Sequence, residues 1–111
     1  MPNSKRKILV VCSQNKLRSR TAEDMFRKHK HLEVHSAGTS PQATHVVSSR
    51  DIEWAEKILC MEHKHKEILL RMFGNKIRDK IQVADIPDDY EYMDPELQEL
   101  LEDAVMELLT S

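Results

Sequence analysis

The stretch from Ile8 to Phe26, ILVVCSQNKLRSRTAEDMF, constrains this chain more than any other. Four apolar residues, Ile8, Leu9, Val10 and Val11, run into Cys12. A mostly polar segment then carries the chain to Arg18 and Ser19, and Ala22, Met25 and Phe26 recur at helical spacing. A continuous apolar run with β-branched residues reads as a strand covered on both faces, so the unit is strand, short loop and helix in a parallel sheet. The amides that open such a helix lack intrahelical acceptors and face the loop, where they and the helix dipole can hold an anion.

A cysteine at the mouth of that cradle is a nucleophile whose thiolate is stabilised by the same donors. Arg18 closes the loop with a planar guanidinium that matches two phosphate oxygens, as a lysine could not. Ser19 can give the sulfur a hydroxyl hydrogen bond. The segment Ser13, Gln14, Asn15, Lys16, Leu17, Arg18 and Ser19 is therefore the expected phosphate-binding loop. Nucleophile, anion cradle and clamp together point to phosphoryl transfer through a covalent cysteinyl-phosphate.

At these residues the chain resembles the low-molecular-weight protein tyrosine phosphatases. The family's loop is Cys, five residues, Arg, Ser directly after the first strand, and CSQNKLRS fits it. Asn15 matches an asparagine that the family uses to shape the loop. Thr21, Ala22, Glu23 and Phe26 stand where the family reads xAExxF; Ser36-Ala37-Gly38-Thr39 is similar to its SAGT, and Ile58-Leu59-Cys60-Met61-Glu62 to its ILCMD. Departures are Leu17 at a position that is often a second cysteine, Gln14 for a glycine, and Arg20 for a proline. The family's long wall between strands two and three is cut to Ser40–Glu56, which predicts a shallower entrance.

At 111 residues the chain is expected to form one small domain. No apolar run approaches the roughly 20 residues of a membrane span, and the polar, basic start from Met1 to Lys7 has no secretory pattern after it. Two cysteines outside any metal or CxxC spacing fit a reducing compartment, so a cytoplasmic location is expected. The net charge of −2 hides an asymmetry: residues 1–31 carry nine Lys/Arg against two acids, whereas residues 85–111 carry ten Asp/Glu and no Lys or Arg. A basic rim would draw in anionic substrates.

Residues 1–6 read as a fraying start, Lys7–Cys12 as strand one, and Ser19–Lys30 as a helix with Ala22, Met25 and Phe26 inward. Glu33–Ser36 is the second strand, followed by a loop at Ala37–Pro41. Ser48 with Asp51 resembles a capping box that opens the next helix. Lys57–Met61 is strand three. A helix over Lys64–Phe73 then places Ile68, Leu69, Met72 and Phe73 on one face and stops at Gly74-Asn75. Ile81–Asp85 is strand four, and Asp94-Pro95-Glu96 starts a last helix striped by Leu97, Leu100, Leu101, Ala104, Val105, Leu108 and Leu109. Alternating strands and helices imply an α/β fold with a parallel sheet. The resemblance adds four strands in the order 2-1-3-4, helices on both faces, and a site at the carboxyl end of strand one.

Hydrolysis also needs an acid for the leaving oxygen and a base for water. The resemblance implies one aspartate in a DPYY-type loop after strand four. Here the sequence is Asp85-Ile86-Pro87-Asp88-Asp89-Tyr90-Glu91-Tyr92. Asp88 gives the best overlay; Asp89 and Asp85 are the alternatives, and each can equally cap a turn. Tyr90 and Tyr92 could wall the cleft or, as exposed loop residues, equally be packing. His29 with His31 and His63 with His65 read as exposed pairs without zinc-like partners, so neither metal nor other cofactor is expected. Cys60, Trp54 and the methionines read as core.

The expected activity is thus a metal-independent phosphatase. Its substrate is phosphotyrosine, a phosphorylated metabolite or a nucleotide, including a 2',3'-cyclic phosphate. A non-catalytic phosphate-binding or phosphocarrier domain is the alternative, which Arg18 disfavours. A monomer is expected, with no extended nucleic acid and no membrane as partner.

Overall fold

The computed structural model describes residues 5–110. Its elements are β1 (Arg6–Cys12), α1 (Arg18–Met25), β2 (Leu32–Gly38), α2 (Ser49–Trp54), β3 (Lys57–Cys60), α3 (His63–Phe73), a 3-10 helix (Asn75–Lys80), β4 (Ile81–Val83) and α4 (Pro95–Thr110). The strands form one parallel sheet in the order β2-β1-β3-β4, the order that the family resemblance implies. Of the expected fraying start, residues 1–4 lie outside the described residues; Arg6 is ordered instead, pairing with Leu32 as the first rung of β1 on β2.

β1 lies between β2 and β3 and is packed over on both faces, so Ile8, Leu9, Val10 and Val11 are all fully buried. Its alternating side chains feed two cores. Ile8, Val10 and Cys12 pack with Ala22 and Phe26 below α1 and with Leu97, Leu101, Val105 and Leu108 of α4. Leu9 and Val11 pack on the opposite face with Ile52, Ile58, Cys60, Leu69 and Ile77. Helices therefore cover both faces, and the α4 stripe falls where its spacing placed it.

Several boundaries differ from the sequence reading. α1 ends at Met25 rather than Lys30, because residues 27–31 offer no apolar side chain and the chain must turn back to pair Leu32 with Arg6. β2 runs on through Ala37 and Gly38, which pair with Val11 and Cys12. β3 stops at Cys60 and β4 at Val83; Asp85 takes φ 57° and cannot continue a strand. On α3 the inward face is His65, Leu69 and half-buried Phe73, four residues apart, so Met72 points outward at 51% exposure. Met106 is also exposed, and Trp54 is only half-buried, its ring stacked 4.1 Å from that of His35.

Three terminations fix α2 and α3. Ser48 accepts from Asp51 N at 3.3 Å while Asp51 Oδ2 accepts from Ser48 N at 2.9 Å, the reciprocal cap expected for α2. Lys80 Nζ donates to Ile52 O and Ala55 O, both at 2.8 Å, satisfying carbonyls at the other end of α2. α3 closes at Gly74, whose φ of 93° favours glycine and whose N–H donates to Leu70 O. Among the described residues, no helix is long and apolar enough to cross a membrane.

Candidate active site

Cys12 ends β1, and the chain wraps around its sulfur before α1 begins at Arg18. Asn15 adopts φ 58°, a left-handed conformation that asparagine tolerates better than most residues. That turn brings Asn15 N–H to the Cys12 sulfur at 3.2 Å. Asn15 Nδ2 donates to Ser19 Oγ at 2.9 Å, and Ser19 Oγ lies 3.0 Å from the sulfur. Since Ser19 Oγ receives the amide hydrogen, its own hydrogen is free to go to the sulfur. Asn15 and Ser19 are buried beneath the loop and shape it.

The loop is braced from outside by β2 and the residues after it. Thr39 N donates to Cys12 O, Ser40 N to Ser13 O and Thr44 N to Gln14 O, at 3.0, 3.0 and 3.1 Å. Gly38 sits so close that an added Cβ would meet both Ser13 O and Ala43 Cβ at 2.5 Å. Only glycine permits this approach. Glu23 on α1 accepts from Ser36 N and Ser36 Oγ at 2.9 and 2.6 Å, tying the helix to β2.

Arg18 is 2% exposed. Its Nη1 donates to Glu62 Oε2 at 2.6 Å and to Ile86 O at 2.7 Å, and this bond holds the Glu62 carboxyl below the usual carboxylate range. The Nε of Arg18 lies 3.7 Å from Asp88 Oδ1. With Nη1 occupied, the Nε and Nη2 edge is the one able to grip an anion through two parallel bonds.

A cavity of about 210 Å³ opens here, lined by Cys12, Ser13, Gln14, Lys16, Leu17, Arg18 and Asp88. Of the three candidate acids, only Asp88 lines it. Asp85 is exposed and faces His63 Nε2 at 3.5 Å, and Asp89 is exposed away from the lining. Tyr90 and Tyr92 do not line the cavity either: Tyr90 OH donates to Glu96 at 3.2 Å and Tyr92 OH to Asp24 on α1. Neither tyrosine is among the described lining residues, and Tyr90 packs against the core, the other reading of the two.

His65 departs most from the sequence reading, being fully buried rather than exposed. Glu62 N–H donates to His65 Nδ1 at 3.1 Å, and His65 Nε2 lies 2.9 Å from Ser13 Oγ. Burial, reinforced by the Arg18 charge, pushes the imidazole down to about 4, so it is neutral near pH 7. Its signal in the sequence is its place four residues before Leu69, on the buried stripe of α3. Cys60 is buried as expected, and burial pushes its thiol up to about 12. Among the described residues no three His, Cys, Asp or Glu side chains gather as a metal site.

The model of the low molecular weight phosphotyrosine protein phosphatase family matches residues 7–58, slightly under half of the chain. No curated protein sequence matches it. Among solved structures, the YwlE arginine phosphatase from Geobacillus stearothermophilus is 22% identical with a TM-score of 0.76, over 95% of this chain and 94% of that one. The low molecular weight protein tyrosine phosphatase from Streptococcus pyogenes is 18% identical with a TM-score of 0.77, over 95% of this chain and 91% of that one. The tyrosine phosphatase Wzb from Escherichia coli K30, in complex with phosphate, is 22% identical with a TM-score of 0.71, over 93% and 95%. The sequence match covers the phosphate-loop half and the fold covers nearly the whole chain. Together they support a cysteine-dependent phosphatase, with Cys12 in a phosphatase-like position.

Proposed function

We propose that this chain is a metal-independent phosphatase of the low-molecular-weight class, with Cys12 as nucleophile, Arg18 as anion clamp and Asp88 as acid and base. The observation that carries this reading is the sulfur at the floor of the cavity, facing donors from Asn15 N and Ser19 Oγ, with Arg18 beside it.

The Cys12 thiolate attacks phosphorus in line; the S–P bond forms as the bond from phosphorus to the leaving atom breaks, and protonated Asp88 gives its proton to that atom, an oxygen in a phosphate ester and a nitrogen in phosphoarginine. Asp88, now a carboxylate, takes a proton from water, whose oxygen attacks phosphorus. The S–P bond then breaks, returning thiolate and free phosphate. Loop N–H groups and the Nε and Nη2 edge of Arg18 balance charge on the phosphoryl oxygens, the role a metal plays in other phosphatases. Ser13, Gln14, Lys16 and Leu17 complete the binding wall, while Asn15 and Ser19 hold its shape.

Phosphotyrosine or phosphoarginine on a protein is the first substrate class, since the solved relatives are described as phosphatases of one or the other. A nucleotide or 2',3'-cyclic phosphate, or another phosphorylated metabolite, is the second. It is favoured by a rim of exposed Gln14, Lys16 and Leu17 with no aromatic side chain among the described lining residues. The enzyme acts as a cytoplasmic monomer without a cofactor.

The test is stopped-flow hydrolysis of p-nitrophenyl phosphate, then a panel of phosphopeptides and nucleotides. A burst of p-nitrophenol followed by steady turnover supports the enzyme. Binding of phosphate without turnover supports the non-catalytic or carrier alternative. Cys12→Ser should abolish turnover, by at least about a thousandfold, while leaving vanadate binding nearly intact because the cradle is mainly backbone. Substantial residual turnover removes Cys12 from the nucleophile's role.

A further inference from the structure

Ser13 and Arg18 reach the cavity from opposite ends of the loop, yet both are held by the first turn of α3. The Glu62 carboxylate takes Arg18 Nη1, while the Glu62 backbone N–H donates to His65 Nδ1. A neutral imidazole whose Nδ1 accepts must carry its hydrogen on Nε2. Nε2 therefore donates to Ser13 Oγ across 2.9 Å. With that lone pair occupied, the serine's own hydrogen is turned away from His65, and Ser13 is one of the residues that line the cavity. No other described side chain takes that hydrogen.

We propose that His65 is a positioning residue that fixes the Ser13 hydroxyl as a donor into the anion cradle. The proposal rests on the phosphatase reading and adds to it a side-chain donor among the loop amides, controlled from a different helix. Its reach is confined to Ser13: the imidazole is sealed from the cavity and touches no substrate atom. Replacing the histidine with a residue that still accepts from Glu62 N but cannot reach Ser13 should free the hydroxyl to rotate and weaken the hold on the phosphoryl oxygens.

Asparagine and glutamine separate the two bonds. In His65→Asn the carboxamide oxygen stands near the former Nδ1 and keeps the α3 cap without reaching Ser13; in His65→Gln the longer amide places its nitrogen near the former Nε2. The experiment measures orthovanadate affinity, and kcat and KM for p-nitrophenyl phosphate, in the full chain and in Ser13→Ala, His65→Asn, His65→Gln and the Ser13→Ala/His65→Asn double variant. Ser13→Ala and His65→Asn should each weaken vanadate binding and lower kcat/KM by roughly tenfold. The double variant should lose no more than either alone, and His65→Gln should recover most of the loss.

Full additivity in the double variant, or His65→Gln as impaired as His65→Asn, would mean that His65 acts only on folding and would overturn the proposal. Ser13→Ala leaves His65 in place, so unchanged kinetics and vanadate affinity in that variant overturn it even if His65→Asn fails to fold. A wild-type chain that binds vanadate without turnover refutes the enzymatic reading alone, since the affinities still report on His65.

Discussion

Residues 12–19 and residues 84–94 both reach the cavity, but they are held in different ways. In the first segment Asn15, Arg18 and Ser19 are buried and hydrogen-bonded to one another, to the Cys12 sulfur or to α3, and Gly38 leaves no slack beside them. The second segment is pinned at Ile86, whose side chain is buried and whose carbonyl accepts from Arg18, and again at Met93 N, which donates to Thr21 Oγ1 at 3.0 Å. Between those pins Asp88 stands 63% exposed on the rim. Buried polar groups are costly to leave unpaired, which holds the first segment by its own hydrogen bonds; the second is fixed at its ends and leaves the carboxylate of the proposed acid in solvent.

The sharpest way to break this contrast is at Arg18. Arg18→Ala removes the clamp and strands Glu62 and Ile86 O, so kcat/KM should fall by about a thousandfold, or ~4 kcal/mol, in steady-state assays. A loss under tenfold would mean that backbone donors alone hold the phosphoryl group.

His65 tests the same segment through stability. Its value of about 4 in the folded chain lies below the ordinary 6.5, so between those pH values the unfolded chain binds a proton that the folded chain refuses. The associated stability is complete above about pH 6.5 and is lost as pH falls towards 4, by at most about 3 kcal/mol. Urea unfolding at pH 7 and pH 4.5 measures it, and in His65→Gln that part of the pH dependence should vanish.

The acid segment gives the smallest effect. Asp88→Ala should slow esters with poor leaving groups by roughly a hundredfold and p-nitrophenyl phosphate only a few-fold, because an activated leaving group needs no proton. Asp85→Ala or Asp89→Ala showing that pattern instead would move the acid.

What was legible in the sequence follows the same division. The loop could be read because Cys12, Asn15, Arg18 and Ser19 act on one another within eight residues, so their spacing already carries their geometry. The cap at Ser48 and Asp51 and the start of α4 at Asp94 and Pro95 are local in the same sense. The residues alone leave Asp88, Asp89 and Asp85 open and only the overlay on the family's loop favours Asp88; in the fold Arg18 holds Ile86 O and stands 3.7 Å from Asp88 Oδ1. His65 escapes the sequence for another reason: the apolar spacing on α3 passes through Met72, whereas the buried stripe runs through a polar residue whose partner, Ser13, lies 52 positions away. Contacts confined to residues 12–19 are readable; contacts that join α3 or residues 84–94 to them need the fold.

The alternation of β1 has a chemical consequence of its own. Val11 pairs with Cys60, and Cys12 and Cys60 point into opposite cores, so the two sulfurs are separated by the sheet itself. With Leu17 in the loop and no other cysteine in the chain, a sulfenic acid formed on Cys12 has no internal thiol with which to condense. Recovery from peroxide then depends on a small thiol diffusing in from solution, through the same opening that admits the substrate.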